Sequence, residues 1–157
     1  MISRELPRPT HVDQRFLDPA PRGVDARIAD DGELVVEVRV VELGGNALAD
    51  VVTLGTALTT GMTVDLAAGS DRLTLAGVAN TGTVKNVETI VGGTAADAIT
   101  LSAVASGASV DLGAGADTLT LASGANVATV SNAETLTGAA GADVVTLGAA
   151  LTTSMTV

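Results

Sequence analysis

The sequence predicts an all-β chain folded as a parallel β-solenoid of the β-roll or β-helix kind, right-handed, with an N-terminal capping strand or hairpin. Three observations carry this. A pattern returns five times after residue 40: Asp50, Asp71, Asp97, Asp117 and Asp143 each close a small Gly/Ala-rich turn. Around each aspartate the same residue types recur, with a large aliphatic seven residues before, another two after, and a threonine and a leucine immediately following. Finally, apolar and threonine positions alternate with the two-residue period of a strand, as in Thr118-Leu119-Thr120-Leu121.

The elements follow in order. Residues 1–25 contain all four prolines, His11 and Phe16, and read as a disordered arm or linker, because proline removes ladder donors. Residues 26–42 read as a capping β-segment: a turn signal at Asp30–Gly32 precedes the alternating run ELVVEVRVV. Residues 43–157 are the solenoid, broken off inside a repeat at Val157. Its aspartates alternate short and long spacings, and two units make a super-repeat of 46 residues, as in VDLAAGSDRLTLA from Val64 and VDLGAGADTLTLA from Val110. If each unit is one coil, Leu54, Leu75, Leu101, Leu121 and Leu147 stack as one internal ladder. Glu88 and Glu134, one super-repeat apart, are expected on the outer face of the longer units.

Composition narrows the chemistry. With no cysteine there is no disulfide, thiolate site or thiol nucleophile. Formal net charge is −10, and beyond residue 40 Arg72 and Lys85 are the sole basic residues, which argues against nucleic acid. No stretch is long and apolar enough for a membrane span, and residues 1–16 lack the apolar core of a signal peptide. His11 beside Asp13 reads as a solvated arm residue. Gly113 and Gly115 lack the Lys-Ser/Thr of a phosphate loop. Nothing supplies a nucleophile, a base or an enclosing cleft, so an enzyme is not expected.

The turns resemble the hemolysin-type, or RTX, calcium-binding repeat, G-G-x-G-x-D-x-aliphatic-x. Gly113, Gly115, Asp117 and Leu119 match it, as do Gly138, Gly141, Asp143 and Val145. Gly92 and Gly93 match before Asp97, where Ala95 replaces the third glycine, and Gly69 alone remains beside Asp71. The resemblance implies calcium held between stacked turns by Asp71, Asp97, Asp111, Asp117, Asp143, Gly113, Gly115 and Gly141, best around Asp117 with Asp97 and Asp143 as neighbours. It further implies a structural repeat segment of a secreted protein, an adhesin, stalk or surface-layer element. Such a chain is extracellular or at the cell surface, without a cleaved N-terminal signal peptide.

Two other readings stand beside it. One is a metal-independent, self-assembling solenoid fibre or shell subunit, associating through an uncapped C-terminal coil. The other is an ice-binding face built on the threonine column Thr53, Thr74, Thr100, Thr120 and Thr146. Against it stands the neighbouring outward column, Val51, Arg72, Ala98, Thr118 and Val144, whose arginine breaks a flat array.

Overall fold

Alternation of branched aliphatics with threonine is realised as short strands joined by tight corners. The computed structural model describes residues 25–28, 34–37 and 42–149. The arm expected over residues 1–25, apart from Asp25, and the C-terminal coil end after residue 149 lie outside the described residues. β1 (Asp25–Ile28) and β2 (Leu34–Glu37) pair antiparallel as a two-stranded sheet, among the described residues separate from both large sheets.

The solenoid alternates between two parallel six-stranded sheets. The first holds β3 (Glu42–Gly44), β5 (Thr63–Asp65), β7 (Thr81–Lys85), β9 (Ala98–Leu101), β11 (Thr118–Thr120) and β13 (Thr135–Thr137). The second holds β4 (Val51–Thr53), β6 (Arg72–Thr74), β8 (Thr89–Gly93), β10 (Ser106–Gly113), β12 (Val127–Ser131) and β14 (Val144–Leu147). Odd and even strands therefore alternate, and the chain winds about five times. Parallel pairing with no helical crossover is possible because each coil delivers its next strand directly onto the one before.

The interior is a thin aliphatic column, as expected. Ile99, Leu119 and Leu136 pair successively in the first sheet, and Leu73, Ile90, Val110 and Val130 in the second, all at most 3 % exposed. Threonines take the outward positions. In the first sheet Thr63, Thr83, Thr100, Thr120 and Thr137 pair in unbroken register.

The coil assignment differs from the sequence expectation. The 46-residue super-repeat is five strands, β5–β9 repeated as β10–β14, and five strands are two and a half coils. Equivalent positions of the two copies thus face opposite ways: Val64 lies in the first sheet and Val110 in the second. The expected single leucine ladder is accordingly split. Leu54 and Leu75 follow strands of the second sheet, while Leu101 and Leu121 belong with the first. Leu147 pairs with Val130 in the second sheet. Leu54, Leu75, Leu101 and Leu121 are buried, but they do not stack on one another as one column.

The repeat also exposes one local conflict. Ala67 and Gly113 are equivalent, and both adopt positive φ, 68° and 85°. The left-handed region costs an L-residue roughly 1–2 kcal/mol. Ala67→Gly is therefore expected to leave stability unchanged or raise it by up to about 1 kcal/mol, after the extra chain entropy of glycine. Gly113→Ala is expected to be clearly destabilising, because its Cβ would run into the carbonyl oxygen of Gly93 on the preceding coil. Urea denaturation of both variants checks the pair.

Candidate metal centre and the polar corners

At eight of the corners between the sheets, those of Asp50, Leu58, Asp71, Asn80, Asp97, Ala105, Asp117 and Asn126, one backbone N–H has no ladder partner. The carbonyl of that residue still pairs: Asp97 accepts from Thr118 N, and Asp117 from Thr135 N. The N–H needs another acceptor, since a buried unpaired amide costs about 1–3 kcal/mol. A side chain from the next coil supplies it.

At the corners entering the first sheet these bonds form a continuous spine. Glu134 Oε2 accepts from Asp117 N at 2.7 Å, Asp117 Oδ1 from Asp97 N at 2.7 Å, and Asp97 Oδ1 from Asn80 N at 2.9 Å. Asn80 Oδ1 completes it by accepting from Leu58 N at 2.9 Å. The corners entering the second sheet carry two shorter runs. Glu88 accepts from Asp71 N and Asp71 from Asp50 N, both at 2.8 Å. Asp143 accepts from Asn126 N, and Asn126 from Ala105 N. The run breaks at Ala105, which has no side-chain oxygen to offer.

Asn80 and Asn126 were not among the residues singled out from sequence, yet both are fully buried. Each amide group donates to two carbonyls of its own corner and to an aspartate, Asp97 or Asp143. Their 46-residue spacing, in GVAN and SGAN, was the available signal. Glu88 and Glu134 are likewise members of the spine rather than outer-face residues. They close corners of three residues, 86–88 and 132–134, where a longer side chain spans what aspartate spans elsewhere.

The predicted metal residues are therefore distributed over several places. Asp97 and Asp117 stack on successive coils of one corner. Asp71 and Asp143 lie at the corners entering the second sheet, so Asp143 is not a neighbour of Asp117; the half-coil offset separates them. Asp111 lies at the end of β10, where Oδ1 accepts from Gly113 N and Asn132 Nδ2. Its equivalent Asp65 accepts from Ala67 N and Asn86 Nδ2 and pairs with Lys85 at 2.9 Å. Burial works to raise Asp65, but the bonds from Lys85, Asn86 and Ala67 outweigh it and hold the carboxyl below its ordinary range.

Turn glycines are demanded by coil stacking. A Cβ at Gly115 would meet the Ala95 carbonyl at 2.9 Å, and one at Gly141 would strike the carbonyl of Gly124. Both have positive φ, 156° and 141°.

Among the described residues no three His, Cys, Asp or Glu side chains converge as a metal-holding group. One feature does suit a hard cation. Oδ2 of Asp71, Asp97 and Asp117 is buried in each case without a hydrogen-bond partner. Two of these orphaned oxygens belong to successive coils of one corner, with Glu134 on the coil beyond. Burial raises the Asp117 carboxyl; the Asp97 N–H lowers it, and the charges of Asp97 and Glu134 raise it again. The net direction is upward. Asp143, held by the side chain and backbone of Asn126, goes the other way. No protein-family model, curated protein or solved structure matches this chain.

Proposed function

We propose that this chain is a structural repeat segment of a secreted, RTX-like protein, a stalk, adhesin or surface-layer element whose acidic corner holds calcium. The β-solenoid is its scaffold. The observation that supports the calcium arm is the pair Asp97 and Asp117 on successive coils, each with a buried Oδ2 that has no hydrogen-bond partner, with the charges of Asp97 and Glu134 both acting on Asp117. A divalent cation with oxygen ligands relieves that repulsion, and Ca²⁺ tolerates the irregular shell that Mg²⁺ does not. The metal-independent reading rests on a different fact: each spine carboxylate already caps a backbone amide, so the stack has a stabiliser of its own.

Thermal melts in calcium, magnesium and EDTA separate the two. Calcium at a hundredfold excess over its dissociation constant is expected to add about 2.7 kcal/mol, with magnesium adding little. Identical melts in all three would establish a metal-independent stalk.

Asp117 also gives a pH dependence. A carboxyl whose folded pKa is raised contributes stability that is complete below its unfolded value and lost as pH rises through the folded value. In EDTA, Asp117→Asn should remove that loss and leave the protein at least as stable at neutral pH, since the side-chain oxygens of Asn80 and Asn126 accept from the corner amides Leu58 N and Ala105 N in the same way. In calcium the same variant should lose the metal-dependent gain. Asp65 and Asp143, both held low, contribute the opposite slope: stability present above the ordinary carboxylate range and lost as pH falls.

A further inference from the structure

The outer face of the first sheet is a two-dimensional threonine array. The column from Thr63 to Thr137 runs beside a second column, Thr81, Ala98, Thr118 and Thr135, also in continuous register. Rows repeat every ~4.8 Å along the stack and the columns stand ~6.7 Å apart, two residues along each strand. Arg72, whose presence in the outward column argued against such an array, lies in the second sheet and faces away from it.

The internal repeat supplies a control on whether threonine is there merely as a good strand residue. Each position of the repeat occurs once on each face. At the four strand positions where only one copy has threonine, it falls on the first sheet: Thr118 against Arg72, Thr81 against Val127, Thr137 against Val91, Thr63 against Ser109. Strand propensity is the same for both copies and cannot produce this bias. Charge agrees. Between Thr63 and Thr137 the two columns hold no charged residue; the charges of the first sheet stand at its margin, Glu42 in line beyond Thr63 and the Asp65–Lys85 ion pair one column over.

We infer that this face binds the surface of ice. Threonine is stiff at χ1, so its hydroxyl and methyl are fixed in each row. Every hydroxyl donates once and accepts twice. From Thr63 to Thr137 the two columns offer an uncharged lattice of donors and acceptors, which complements a neutral crystal. This inference is independent of calcium.

The test uses three proteins: the parent chain, Thr118→Arg and Thr129→Arg. Thr118→Arg puts on the first sheet the residue that the second already carries at the same repeat position, so the fold accommodates it. Thr129→Arg places the same charge on the second sheet, where Thr129 is exposed. The parent is expected to show thermal hysteresis and to enter a growing ice hemisphere. Thr118→Arg should lose roughly tenfold or more of the hysteresis, as for a central contact of a flat interface, with an unchanged melt. Thr129→Arg should keep it. Exclusion of the parent from ice overturns the inference, as does equal loss in both variants. Binding of the parent to a crystalline polysaccharide but not to ice, or concentration-dependent dimers that Thr118→Arg dissolves, assigns the face to another occupant and equally overturns it.

Discussion

Leu119→Asp is expected to abolish the folded stack. Leu119 is fully buried in β11, paired on one side with Ile99 and on the other with Leu136. The interior at this level is aliphatic, with no side chain placed to pair a charge. An unpaired carboxylate there costs several kcal/mol, comparable to the entire stability of a small domain. The effect has a particular shape in a solenoid, where each coil is stabilised by its neighbours. The charge falls in the fifth of the six strands of the first sheet counted from β3, so it cuts β13 off from the four strands before it. Circular dichroism should show loss of the β signal, and hydrogen exchange should show loss of protection across β9, β11 and β13 together. Retained protection on either side of β11 would mean that the coils fold independently of one another.

Asn126→Asp should be nearly as damaging, although it changes one atom. The Asn126 amide donates to Ala122 O at 2.7 Å, Gly124 O at 3.2 Å and Asp143 Oδ1 at 2.8 Å, and its oxygen accepts from Ala105 N. A carboxylate keeps the last bond and loses the donors, leaving acceptors facing acceptors in a site with no exposure. Each buried group left unpaired costs about 1–3 kcal/mol, and the new charge opposes Asp143. The variant should therefore be strongly destabilised at neutral pH and partly recover in acid, as protonation restores a donor. Asn80→Asp should behave alike, since Asn80 makes the same bonds to Ala76, Val78 and Asp97. A melt of Asn126→Asp matching the parent at neutral pH would show that these amides do not hold the corners.

The contrast between these variants and Asp117→Asn marks what the sequence disclosed. Strand identity and the inside positions were legible, because Leu and Ile alternate with Thr at a two-residue period that admits one face inward. The recurrent aspartates were legible as corner residues, but not their task. Their carboxyls run along the stack to the preceding coil, and a spacing of 17, 20 or 21 residues to the partner is set by corner lengths. The same task passes to asparagine and glutamate, so a search by residue identity finds half the spine. The faces were the least legible part. A repeat of 46 residues fixes which residues are equivalent without fixing how many half-turns separate them, and Arg72 was consequently placed beside Ala98 rather than across the molecule from it.

That odd number of strands per module has a consequence for how such a molecule can be lengthened. Inserting one further copy turns everything beyond the insertion through half a revolution, so a surface assembled on one side would continue on the other. Inserting copies two at a time preserves the sides. A single-sided surface can thus grow only by paired duplication, or by rewriting alternate copies residue by residue, and the differences between β5–β9 and β10–β14 are of the second kind.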